Sequence, residues 1–429
     1  MRKSIILQLL TPFILVGAAT PDLLGQECPD PRKITAGHQG AIATVRYLAD
    51  DALGGRLAGS PEERCAGDFI AQRFAALGLK PAGANGTYFQ EFELASVVNP
   101  HAPKGTGRNV LALLEGNDAQ LKNEYVIVGA HYDHLGQGLF GSTSKEQQPA
   151  IHNGADDNAS GVAAMLDIAE RMVKGRHPAR TVVFMAFSGE ESGLLGSAYF
   201  ANHPTFPLTS AKAMLNLDMV GRLGQGPLIV YGIGTAAEWE KLVSDAAARE
   251  KVSVTLQTDG YGASDHTSFY LKDIPVLHFF TNVHGDYHNP GDDWEKIDAA
   301  GMRKVSAIVT ALASQVANQQ TVITLQKGAG KPPAPVGSSG GGYGAYLGTV
   351  PDFSPVKYGV KLSGVRENSP AQKAGLQSGD IIIRMDEKEI ADLQAMTDAL
   401  RTKQPGDVIT IVVQRDGKEV ALQATLGRR

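Results

Sequence analysis

Between Arg108 and Ala317, six short apolar runs alternate with helical stretches, and few architectures accept that rhythm. The runs are Asn109–Leu114, Tyr125–Val128, Val182–Phe187, Met214–Leu217, Pro227–Val230 and Ile274–Phe280. They are brief and rich in Val, Ile and Phe, as strands buried on both faces require. Amphipathic stretches lie around Val162–Val173, Leu194–Ala201, Ala236–Ala248 and Ala299–Ala317. Strands alternating with helices predict an α/β fold, a mostly parallel mixed sheet sandwiched by helices. In such sheets ligand sites gather at the carboxyl ends of the strands.

Upstream, two helices are predicted within residues 38–78, one from Gln39 to Leu53 and one opening at Ser60-Pro61-Glu62-Glu63. Ser60 is placed as N-cap, Pro61 as first helical residue and Glu63 as the closing member of a capping box. The second helix stops at Gly78, and Thr87 to Leu94 reads as a strand. Residues 1–19 have the layout of a secretory signal: basic Arg2 and Lys3, an apolar Ile5–Val16, then small Gly17, Ala18 and Ala19. The apolar run is shorter than the roughly 20 residues needed to cross a bilayer, so no stable membrane span is expected. The expected destination is exported, periplasmic or secreted. An oxidising compartment permits a bridge between Cys28 and Cys65, and two unpaired thiols are the alternative.

Pro332-Pro333, Pro335 and a Gly/Ser cluster then break the αβ rhythm, which sets residues 327–342 apart as a linker. It divides a large domain, 28–326, from a small one, 343–429. Strand-like runs in the small domain are Ile381–Arg384 and Val408–Gln414, and Arg415-Asp416-Gly417-Lys418 predicts a hairpin turn. The formal charge of −5 gives no electrostatic case for nucleic acid as a partner.

Acids and histidines fall where the predicted strands end. Tyr125–Val128 runs on into His131 and Asp133, a spacing that lets Asp133 accept the hydrogen bond of the imidazole nitrogen not used for ligation. Asp156 and Asp157 are adjacent in a loop entering a helix, where Asn158 or Ser160 would satisfy free amides. Glu190 and Glu191 follow one strand, Asp218 ends another, and Tyr287-His288 precedes the final helix. Imidazoles among carboxylates disfavour Mg2+ and Ca2+ and favour Zn2+, with Co2+ or Mn2+ as substitutes. Two such cations would activate water and stabilise the tetrahedral state of an acyl-transfer reaction.

The segments HYDHLG, GADDNASG, SGEESGLLGS, LNLDMVG and YHNPGDD, in that order, resemble those of the M28 family of zinc aminopeptidases. The resemblance implies two Zn2+: His131 and Asp218 at one, Glu191 and His288 at the other, Asp157 bridging them. It implies a cis peptide after Asp157, Glu190 as general base and Tyr287 as a donor to the oxyanion. The expected substrates are peptides with a free N-terminus. A glutaminyl cyclase or carboxypeptidase on the same scaffold, and an inactive binding protein, are the alternatives. Cyclases of this fold use one zinc, whereas the full two-metal set is present here. Gly262–Phe269 also matches a family segment, read as a helix capped by Ser264 with Asp265 near the substrate. The small domain resembles an α+β PDZ module through Ser369-Pro370-Ala371, Ala374-Gly375-Leu376 and Gly379-Asp380-Ile381-Ile382. Tyr346, Leu347 and Gly348, in a loop from Tyr343, would take the C-terminal carboxylate of a bound peptide.

Overall fold

The computed structural model describes residues 28–94, 103–139, 141–142, 144, 149–318, 323–328, 345–351, 356, 358–365, 368–391, 395–396, 399–400 and 402–428. The expected signal (1–19), nearly all of the linker and Tyr343 lie outside them.

Nine strands make one sheet: β1 (Lys80–Pro81), β2 (Phe89–Glu93), β3 (Thr106–Leu114), β4 (Tyr125–His131), β5 (Thr181–Phe187), β6 (Ala211–Leu217), β7 (Leu228–Tyr231), β8 (Val254–Leu256) and β9 (Val276–Phe280). Their order is β1-β3-β5-β4-β6-β9-β7-β8, with β2 also paired to β3. The central strands β5, β4, β6 and β9 are parallel, and the margins turn antiparallel at β3 against β5 and β7 against β9. The helices are α1 (Pro31–Ile34), α2 (Gly40–Leu48), α3 (Pro61–Ala76), α4 (Gly161–Lys174), α5 (Leu195–Asn202), α6 (Trp239–Arg249), α7 (His266–Tyr270) and α8 (Ala299–Asn318).

Alternation along the strands decides the layers. Val182, Phe184 and Ala186 pack with Val45, Phe74, Trp239 and Leu312 from α2, α3, α6 and α8. Val183, Met185 and Phe187 point the other way, against Phe200 and Phe269 from α5 and α7. The sheet is therefore covered on both faces, which is why its strands read as unbroken apolar runs. Among the described residues no helix is long and apolar enough to cross a membrane.

Two N-terminal expectations change in detail. The helix expected over Gln39–Leu53 ends at Leu48, and a separate short turn, Asp51–Leu53, follows with Asp50 accepting from Ala52 N. Ser60 caps α3 by accepting from Glu63 N at 3.0 Å, but Glu63 does not close the box onto Ser60. Its carboxyl accepts instead from Gly59 N at 2.6 Å, with the side chain fully buried. Cys28 and Cys65 form a disulfide that ties the start of the described chain to α3.

The C-terminal strands are β10 (Ala345–Tyr346), β11 (Thr349–Pro351), β12 (Val360–Val365), β13 (Ile381–Met385), β14 (Lys388–Glu389), β15 (Val408–Arg415), β16 (Lys418–Thr425) and β17 (Gly427–Arg428), with helix α9 (Pro370–Lys373). A sheet of order β11-β12-β13-β15-β16 encloses its own core of Leu362, Ile382, Ile411 and Val413. Arg415 pairs with Lys418 across a two-residue turn whose Asp416 and Gly417 both have positive φ, as a type I′ hairpin requires. Ser369 caps α9, and buried Asp380 receives two hydrogen bonds from Arg415 at 2.6 and 2.7 Å.

Candidate metal centre

Parallel pairing of β4 with β5 and β6 brings three chain segments to one rim. His131 lies opposite Phe187 in register, so the chain leaving β5 through Ser188 and Gly189 delivers Glu190 and Glu191 beside it. Gly189 has φ +72, which turns the chain off the sheet. Asp218 follows directly on β6.

The loop carrying Asp157 is knitted to the chain after β6. Asn158 Oδ1 accepts from Gly161 N and Met219 N, and Asn158 Nδ2 donates to Leu217 O. Ser160 Oγ accepts from Val220 N and donates to Asp156 O. The peptide between Asp157 and Asn158 is cis. Asp156 and Asp157 divide the work: Asp156 turns away, its Oδ1 accepting from Gly221 N at 2.6 Å and its Oδ2 facing His284 Nε2 at 3.2 Å. Asp292, held by Arg222, accepts from the amides of both.

The five expected ligands converge. His131 Nε2 lies 3.3 Å from Asp157 Oδ1 and 3.4 Å from Asp218 Oδ1. His288 Nε2 lies 3.1 Å from Asp157 Oδ2 and 3.2 Å from Glu191 Oε2. Asp157 thus offers one oxygen to each imidazole. Atoms bound to one tetrahedral ion at about 2.0–2.1 Å sit about 3.3–3.4 Å apart; the His131 contacts have that spacing and the His288 contacts are slightly shorter. His288 Nδ1 donates to Gly141 O at 2.9 Å, which leaves Nε2 as the nitrogen facing Asp157 and Glu191.

Asp133 differs from expectation in the atom it uses. His131 Nδ1 meets the Asp133 backbone carbonyl at 3.2 Å, while the carboxylate stands at 3.7 Å and accepts instead from Glu190 N at 3.1 Å. The short HxD spacing puts the carbonyl nearer the ring than the side chain, so Asp133 orients His131 through its backbone and Glu190 through its carboxylate. Ser264 is not the helix cap: its Oγ accepts from Asn216 Nδ2 at 2.8 Å, and α7 begins only at His266. Tyr287 stacks on the His288 ring, 3.9 Å between centroids.

Charge favours a cation here. Burial alone would raise Asp157, but hydrogen bonds with His131 and His288 hold it well below the usual carboxylate range. Glu191 is pulled the same way to about 2, burial being outweighed chiefly by His288. Glu190 goes far up instead, through burial and the charges of Asp218 and Glu191, despite the opposing His131. Burial pushes Asp265 up to about 7. Carboxylates crowded this way repel unless a positive ion sits among them, and the donor set of nitrogen and oxygen suits Zn2+.

Three neighbours escaped the sequence reading. His134, three residues after His131, places Nδ1 2.6 Å from Glu191 Oε1, and its donor atoms group with those of Asp157 and Glu191. The second histidine of HYDHLG was the available signal. His284 had no local pattern to mark it. Nor had Arg56, a fully buried guanidinium that donates to the carbonyls of Tyr132, Asn153, Gly154 and Leu48.

With the geometry in place, comparison with known proteins is specific. Residues 109–313 match the family described as Peptidase family M28, and residues 346–426 match the PDZ domain. A "Probable leucine aminopeptidase" of Arthroderma benhamiae is 29% identical over 220 residues, 49% of this chain and 57% of that protein. "Aminopeptidase YwaD" of Bacillus subtilis is 28% identical over 225 residues, 50% of this chain and 46% of that one. The chain thus spans about half the length of these relatives. Among solved structures, the aminopeptidase from Aneurinibacillus sp. strain AM-1 superposes with a TM-score of 0.52 at 21% identity, covering 69% of this chain and 98% of that one. A glutaminyl cyclase of Bacteroides thetaiotaomicron gives 0.52 at 19% identity, covering 66% and 97%. At such identities the likeness is one of fold, which both chemistries share.

Proposed function

From a chain that carries a peptidase family M28 domain and a PDZ domain, we propose an exported aminopeptidase that uses two zinc ions to remove N-terminal residues from peptides. The observation that carries this reading is the pair of donor trios, each 3.1–3.4 Å between nitrogen and oxygen, joined through the two oxygens of Asp157. His131, Asp157 and Asp218 would hold one ion, and His288, Asp157 and Glu191 the other. When bound, the ions supply Lewis-acid polarisation of the peptide carbonyl and lower the pKa of the attacking water.

The chain's own residues do the rest. Glu190, its backbone fixed by Asp133, takes the proton of the attacking water and passes it to the leaving amine. Burial among like charges raises its proton affinity, which suits a group that must accept a proton and then release it. Tyr287 keeps its phenol neutral, burial pushing its pKa far up, and so can donate to the developing oxyanion. The disulfide between Cys28 and Cys65 supports an oxidising, exported setting. Residues Tyr346, Leu347 and Gly348 are proposed to receive a peptide C-terminus, no nucleic acid being a partner.

Glu190→Gln is the deciding variant. It should retain both zinc ions by elemental analysis and lose at least ~10²-fold in kcat on aminoacyl chromogenic substrates. Retained turnover sinks the assignment of the base. A free-amine peptide, its N-acetylated form and a peptide with N-terminal glutamine, assayed side by side, separate the aminopeptidase from the cyclase whose fold is shared. Cleavage of the free amine alone is expected, and cyclisation of the glutamine would overturn the reading.

A further inference from the structure

We propose that His134 is a positioning residue for the second cation, holding one oxygen of Glu191 so that the other is reserved for the metal. This rests on the two-cation reading above. His134 sits close enough to Asp157 and Glu191 to pass for a ligand, since donor atoms of all three lie within 4.8 Å of one another. Distances separate the two roles. Ligands of one tetrahedral zinc stand about 3.3–3.4 Å apart, the spacing His131 keeps from its carboxylates, and His288 keeps 3.1 and 3.2 Å from its own. His134 Nδ1 and Glu191 Oε1 are 2.6 Å apart, too close for two ligands of one ion and right for a charge-assisted hydrogen bond. An ionised carboxylate only accepts, so Nδ1 carries the proton. Glu191 Oε2 is then left facing His288.

The imidazole has little freedom to do anything else. His134 N donates to Arg56 O, and residues 57 and 134 form a parallel bridge, so its backbone is fixed from the N-terminal segment. On the other side the ring lies against Gly154, where any Cβ would come within 2.5 Å of His134 Cδ2 and 2.6 Å of Cγ. At 1% exposure the ring is out of reach of substrate. His134 therefore acts through Glu191 and does not touch the reacting atoms.

The test uses the full-length protein and its His134→Ala, His134→Gln and His134→Asn variants, stripped with chelator and titrated with Zn2+ against a chromogenic competitor. Cobalt substitution, followed by visible absorption, reports the geometry of each site. Wild type should take two ions. His134→Ala should keep the first and bind the second about 10–100-fold more weakly. His134→Asn, whose side-chain amide can occupy the place of Nδ1, should recover most of that affinity. His134→Gln, with its amide one bond farther out, should not, and this contrast stands even where the alanine variant does not fold. Unchanged second-ion affinity in the alanine and glutamine variants overturns the proposal. So does an asparagine variant as weak as the glutamine one, which would make the ring a ligand. A wild-type protein that takes a single ion overturns the two-cation reading itself, and shows it before any substitution is made.

Discussion

Glu63 carries a carboxyl with no exposure to solvent, and burial, reinforced by Asp133, pushes its pKa from 4.5 to about 8. The folded protein therefore holds this proton more tightly than the unfolded chain does. Its contribution to stability is complete below pH 4.5 and is lost as pH rises toward 8, at about 1.4 kcal/mol for each unit in between. Glu63→Gln keeps the shape and cannot ionise. With both proteins metal-free, urea unfolding should show the variant gaining on wild type from pH 5 to pH 8 by a few kcal/mol, then running parallel. A flat difference across that range would mean that water reaches Glu63. The same residue shows how burial rewrites a local motif: Ser60 and Glu63 have capping-box spacing, yet the carboxylate goes to Gly59.

At the scale of elements, the segment between α2 and α3 is what holds the metal centre from behind. Arg56 joins the end of α2, the chain after β4 and the loop before Asp157, through carbonyls of Leu48, Tyr132, Asn153 and Gly154. A guanidinium with no solvent contact is costly, and burial lowers its pKa to about 10 against the opposing charges of Asp133, Asp157, Asp292 and Glu191. Those carboxylates and four acceptors are what make it tolerable there. Arg56→Met strips the acceptors of their donor and should cost about 3–5 kcal/mol by chemical denaturation. Arg56→Lys should recover only part, since an ammonium lacks the planar fork that reaches separate carbonyls. A methionine variant as stable as wild type would show that packing, and not the hydrogen bonds, sets this junction.

Over the whole molecule, the described apolar residues sort by chain segment. One set packs on both faces of the nine-stranded sheet, and a second, separate set is enclosed by the C-terminal sheet. Each buries its own apolar residues, so the first is expected to fold without the second. Deleting residues 335–429 should leave kcat/KM on aminoacyl chromogenic substrates within about twofold. If the PDZ domain presents substrates by their C-termini, the same deletion should lower kcat/KM on long peptides about tenfold or more, which corresponds to a tethering gain. Equal effects on short and long substrates would remove presentation as its role.

The sequence alone determined the central strands and most of the helices, where the Asp416-Gly417 hairpin turns, and that acids and imidazoles gather where the strands end. Each of those signals is local: an apolar run of strand length, a residue type that accepts positive φ, an acid or imidazole where such a run stops. The choice of Asp157 over Asp156 came from family resemblance, and Asp157 is the one that lies 3.3 Å from His131 and 3.1 Å from His288. Only the tertiary structure decided that Asp133 accepts from Glu190 N, that Ser264 serves Asn216, that His134 meets Glu191, and that Arg56 backs the site from outside residues 109–313. Those partners come from segments as many as 98 residues apart, and no stretch of neighbouring sequence encodes which far-off carbonyl or carboxylate the packing will bring within hydrogen-bond reach.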